Sequence, residues 1–160
     1  MPPALSRASR ALRFLALTAV LLAGLAHARE LALTPGDAWP ALEAGDTVRL
    51  APGTYEGPWE VAVPDVTLHA EGAMLRGPAD GSPLVLAAPG IVVDGLRVRD
   101  AGSVADLYAP DAAIWMVGCD GCEVRGLDAS GVPAGLRIEA SRDVRVLDAR
   151  LRGAPDGPGV

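Results

Sequence analysis

Lysine, asparagine and glutamine are absent from this 160-residue chain, so its 14 strongly basic side chains are all Arg, a bias that reflects GC-rich coding rather than function. One Phe, two Tyr and three Trp exclude a large aromatic core and leave Val, Leu, Ile and Ala to fill the interior. Acidic residues outnumber basic ones by 20 to 14, a formal charge of −6. That balance argues against a nucleic-acid partner, because phosphate binding is driven by clustered cations, and against an anionic membrane surface. No Ser-His-Asp set, phosphate-cradling loop or zinc-ligand spacing occurs, so the residues support no catalytic assignment.

What is present begins with a leader. Arg7, Arg10 and Arg13 precede an uncharged run over residues 14–25 and then Ala26-His27-Ala28, the basic, apolar and small-residue order of a cleavable secretory signal over 1–28. The apolar run is shorter than the roughly 20 residues a spanning helix needs, and no second run follows. We therefore expect cleavage after Ala28, a periplasmic location that permits disulfides, and no membrane span after signal cleavage. Residues 29–160 are expected to form one domain, whose 11 basic and 20 acidic side chains leave a formal charge of −9.

From Val48 onward, short runs of Val, Leu and Ile are separated by Gly, Pro and Asp, and no stretch sustains a 3.6-residue apolar period. This predicts an all-β chain. Val124-Arg125-Gly126-Leu127-Asp128-Ala129 returns 20 residues later as Val144-Arg145-Val146-Leu147-Asp148-Ala149, and an earlier copy reads Val93-Asp94-Gly95-Leu96-Arg97-Val98. Upstream of these lie Leu84-Val85-Leu86, Ile114-Trp115-Met116 and Leu136-Arg137-Ile138. A repeat of this kind predicts a solenoid, a right-handed single-stranded parallel β-helix in which each coil stacks like on like.

Alternation assigns the faces. Leu84, Leu86, Ile91, Val93, Leu96 and Val98 point inward in one coil, and Ile114, Met116, Cys122, Val124, Leu127 and Ala129 in the next. Leu136, Ile138, Val144, Leu147 and Ala149 are expected to continue the stack, with Val124 on Val144 and Leu127 on Leu147. Trp115, Arg137, Arg97 and Asp128 face outward. The step from Val93 to Val124 is 31, so about ten extra residues fall in a loop over 100–111, either a binding loop or a neutral surface excursion. Ahead of the coils, residues 38–44 read as a short N-terminal capping helix, with Asp37 as N-cap, Pro40 in the first turn and Gly45 as the stop. It would cover the unpaired edge of the first coil.

Cys119-Asp120-Gly121-Cys122 is the one constellation with reactive potential. Such a pair can close a disulfide, run thiol exchange, or offer two soft ligands to Cu(I). The structural use is favoured, since Cys122 takes the inward place of Ile91 and no second pair completes a four-ligand metal site. His69 should face solvent, and Met116 should be core. Asp94, Arg125 and Arg145 are expected at equivalent positions of successive coils. Asp128 and Asp148 are expected to stack as two carboxylates able to hold a cation or a sugar, unless they are turn residues balanced by Arg97 and Arg150.

The stretch from Gly45-Asp46-Thr47-Val48 to Gly53-Thr54-Tyr55-Glu56-Gly57 resembles the opening of pectin-lyase-like β-helix proteins. Val66-Thr67-Leu68, Glu71-Gly72-Ala73, Gly90-Ile91-Val92-Val93-Asp94-Gly95-Leu96, Ala101-Gly102-Ser103 and the inserted loop ending in Asp111-Ala112-Ala113-Ile114 are similar to the N-terminal half of the NosD family. That resemblance covers roughly residues 30 to 153. It implies a periplasmic accessory protein for copper insertion into nitrous oxide reductase. Its partners would be the membrane and ATPase components of an ABC transporter and copper-delivery factors, with copper as a candidate ligand of Cys119 and Cys122. The alternative is a carbohydrate-binding or carbohydrate-active β-helix of the pectin-lyase type. Members of the family are longer, so the domain is expected to be truncated at its C-terminus.

Overall fold

The computed structural model describes residues 28–103 and 110–153. The expected signal lies outside the described residues apart from Ala28, as do positions 104–109 of the loop over 100–111 and residues 154–160. The described part is a right-handed parallel β-helix with 15 strands. Strand β1 (Glu30–Leu33) precedes the coils. The first coil holds β2 (Thr47–Leu50), β3 (Gly53–Glu56) and β4 (Trp59–Val61), and the second β5 (Thr67–His69), β6 (Ala73–Arg76) and β7 (Leu84–Leu86). The third holds β8 (Val92–Asp94), β9 (Arg97–Arg99) and β10 (Ala112–Val117), and the fourth β11 (Glu123–Arg125), β12 (Asp128–Val132) and β13 (Ala134–Glu139). Strands β14 (Arg145–Leu147) and β15 (Arg150–Gly153) lie on the fourth coil.

Corresponding strands pair in parallel to give three sheets, ordered β1-β2-β5-β8-β11-β14, β3-β6-β9-β12-β15 and β4-β7-β10-β13. Alternating side chains therefore stack in columns through the interior. Val48, Leu68, Val93 and Val124 form one column and Trp59, Leu84 and Ile114 another, all buried. The inward residues expected from Leu84 to Ala129 are all buried. At the far end burial fades: Ile138 lies in register on Met116 yet is 47% exposed, and Leu151 is 49% exposed.

The register of the last coil departs from the sequence expectation. Val124 pairs with Val146 and not Val144, and Leu147 lies beside Arg125 on the outer face, 46% exposed. The cause is the corner between the first and second sheets, where the backbone takes a positive φ. Gly95 (φ 75°), Gly126 (φ 60°) and Asp148 (φ 53°) occupy that corner in turn, and the Gly126 amide donates to the Leu147 carbonyl. Asp tolerates the left-handed conformation better than most non-glycine residues. The similarity of the two six-residue copies is thus offset by two positions from the stacking.

Residues 38–44 are not helical. The Asp37 carboxylate turns back to accept from the Thr34 amide and hydroxyl, at 2.7 and 2.9 Å, and so does not cap forward. The Ala41 carbonyl is taken by Arg29 Nη2 and the Glu43 amide by Asp46 Oδ2, which satisfies in extended form the groups a helix would have used. The segment still caps the first coil. Trp39 stacks on Trp59 with centroids 4.4 Å apart, and its Nε1 donates to the Glu60 carbonyl on the edge strand β4. No helix among the described residues is long and apolar enough to cross a membrane.

Candidate functional site

Outside the corner, the first two sheets leave an open groove of about 720 Å³ running across the coils. One wall carries Arg49, His69 and Asp94, aligned on β2, β5 and β8. The other carries Arg97, Asp128 and Arg150, aligned on β9, β12 and β15. Glu71, Gly72, Gly95 and Gly126 line the corner between them. A Cβ on Gly95 would lie 3.0 Å from Glu71 Cα, so glycine there both keeps the positive φ and lets neighbouring coils approach closely.

The groove is built of opposed charges. Arg49 is bonded to Glu30, and His69 Nδ1 lies 3.8 Å from Asp94 Oδ2. Arg99 reaches in from behind, its Nη2 donating to Asp128 Oδ2 at 2.9 Å and its Nη1 to the Asp128 carbonyl at 2.6 Å. That guanidinium holds the Asp128 carboxyl below the ordinary carboxylate range despite its partial burial, and Arg152 and Arg97 add to the effect. Asp128 Oδ1 is buried with no hydrogen-bond partner among the described residues. Guanidinium and carboxylate groups along an elongated concavity suit a polar ligand or a polar protein surface that both donates and accepts hydrogen bonds.

Asp94 and Arg125 occupy equivalent positions, as expected, but the shifted last coil puts Arg145 beside Glu123. The hydrogen bond from Arg125 holds the Glu123 carboxyl low, with Arg145 contributing. Asp128 does not stack on Asp148, because its in-register partner is Arg150. The pair of aligned carboxylates expected for a sugar or cation is therefore not formed. The groove itself was not visible to sequence reasoning, although the run of corner glycines flanked by charged residues marks it.

Cys119 and Cys122 are joined in a disulfide, both buried, at the turn into β11. The Cys119 amide donates to Ser141 Oγ of the next coil, which seats the turn. Sulfurs bonded to each other present no thiolate, so this state offers no Cu(I) ligand pair. Among the described residues no group of three or more His, Cys, Asp and Glu is arranged to hold a metal ion.

A parallel β-helix with an outer polar groove places the chain among solenoid β-helix proteins. It is 38% identical over 139 residues to a Pseudomonas aeruginosa protein named as a probable ABC transporter binding protein NosD, a match covering 86% of this chain and 31% of that one. It is 27% identical over 148 residues to the protein of the same name from Stutzerimonas stutzeri, covering 88% of this chain and 33% of that one. The chain is NosD-like across most of its own length, and it spans about a third of the length of these curated relatives. No family model and no solved structure matches it.

Proposed function

We propose that the protein is an exported, non-catalytic accessory factor that acts in the periplasm with an ABC transporter during copper-site maturation of nitrous oxide reductase. The observation that carries this reading is the 38% identity to a NosD-named protein over 86% of the chain. The leader-like order of residues 1–28 supports the export step, and the buried disulfide suits an oxidising compartment. The absence of the Asp128–Asp148 pair removes the carboxylate ground on which the polysaccharide alternative stood. We assign the partner contact to the outer groove, where Arg97 and Arg150 stand outward on either side of Asp128.

The test is genetic and biochemical. Deletion of the gene should abolish nitrous oxide reduction and lower the copper content of the reductase. Complementation with the wild-type gene should restore both, and an Arg97→Glu, Arg150→Glu variant of normal abundance should not. A deletion strain with a fully copper-loaded reductase would rule out the accessory role. Full rescue by the charge-reversed variant would remove the groove from it.

A further inference from the structure

We infer that the Ala28–Arg29 peptide bond is a processing site whose cleavage completes a charge-balanced cluster, the new α-ammonium of Arg29 bonding the buried carboxylate of Asp46 and locking the first coil. The inference rests on the export part of the proposed function and not on the transporter role. Two independent observations meet at this bond. The small-residue motif Ala26-His27-Ala28 ends at it. Arg29 is also tied to the first coil, its carbonyl accepting from the Thr47 amide at 2.8 Å.

Asp46 is completely buried. Its Oδ1 accepts from the Arg29 amide nitrogen and from Arg29 Nε, each at 3.1 Å. Its Oδ2 accepts from Arg29 Nη2 at 2.6 Å and from the Glu43 amide at 2.8 Å. Glu43 Oε1 lies 3.1 Å from Arg29 Nη1. The charged groups facing Arg29 are thus Asp46 and Glu43, while β2 contributes the Thr47 amide and the capping segment the Ala41 carbonyl. In the uncut chain two carboxylates face one guanidinium.

Hydrolysis by a peptidase adds one water across the amide. The carboxylate leaves with the segment ending in Ala28, and the amine stays on Arg29 and takes a proton at neutral pH. Two carboxylates then face two cations. The nitrogen that was a neutral donor to the ionised Asp46 Oδ1 becomes a charged one, so the attraction of opposite charges is added to a hydrogen bond the carboxylate already strengthened. This ammonium is stabilised in the folded chain, so its contribution is complete below the unfolded amine pKa and is lost as pH rises through the higher folded value.

The test uses the full chain expressed with its leader in a Gram-negative host and recovered from the periplasm. Intact mass and N-terminal sequencing give the first residue. Because the sequence has no lysine, the terminal amine is the only amine available to an acylating reagent. We expect Arg29 as the first residue and an amine titrating at least one unit above the usual range of about 7.7–8.0. Acylation near pH 8 should then be about tenfold slower in the native protein than in urea, and Asp46→Asn should bring the native rate back up. The native-against-urea comparison decides the matter even where Asp46→Asn fails to fold. A different first residue, or an Arg29 amine that reacts alike in both states, overturns the inference and leaves export intact. A full-length uncut protein overturns both.

Discussion

Asp148 stands in the corner that Gly126 fills one coil earlier, their φ values being 53° and 60°, and this equivalence sets the register of the last described coil. At Gly126 an added Cβ meets Gly95 Cα at 3.5 Å, an ordinary contact, so only the backbone preference is at stake. At Gly95 the same change meets Glu71 Cα at 3.0 Å as well. We expect Gly126→Ala to cost about 1 kcal/mol and Gly95→Ala roughly twice that, read from denaturant midpoints. Equal costs would show that close approach between coils plays no part.

Trp39 closes the edge of β4 by stacking on Trp59. Trp39→Ala should cost about 2 kcal/mol, less than a fully buried Trp because the ring is half-exposed. It should also bare a strand edge. Size-exclusion chromatography across a concentration series should show more association than wild type. An unchanged profile would mean that the extended segment caps the coil without its indole.

Acid should weaken the fold through Asp46. The hydrogen bond from Arg29 holds its carboxyl well below the usual carboxylate range, against the opposing effect of burial. Its folded pKa is depressed, so the stabilisation is complete above the unfolded value of about 3.9 and disappears as pH falls through the folded value. Unfolding free energies measured down the acid limb should therefore drop more steeply for wild type than for Asp46→Asn. Parallel limbs would sink this assignment.

The Cys119–Cys122 bond closes a loop of sequence separation 3. Chain-entropy arguments give about 2 kcal/mol for so short a loop, so a Cys119→Ser, Cys122→Ser variant should lose roughly that amount. Unreduced protein should titrate no free thiol and take up no Cu(I) through this pair. If reduced wild type and the double variant bind Cu(I) identically, the cysteines are not its ligands.

Much of the β-helix was legible because its signals are local. Alternation along three or four residues determined which side chains face inward, and Val93, Leu96, Val124 and Leu127 are all buried as expected. The inserted residues between β9 and β10 were likewise visible as a lengthened repeat. The capping helix was misread because Asp37 and Gly45 are good terminal signals whose groups found other partners. Thr34 took the Asp37 carboxylate, and Pro64 supplies the carbonyl that accepts from the Gly45 amide. The groove escaped because its walls come from residues such as Arg49 and Arg150, far apart in the chain and joined only by stacking.

By itself, then, the sequence determined the all-β class, the coil repeat and the inward columns through the fourth coil. Those follow from side-chain period and turn chemistry, which act over a few residues. Tertiary structure alone decided the two-residue offset at Val146, the extended cap at Trp39, the Arg29–Asp46 cluster and the groove. Each depends on hydrogen bonds or packing between one coil and the next, where a carbonyl or carboxylate has several local candidates and only the folded stack selects among them.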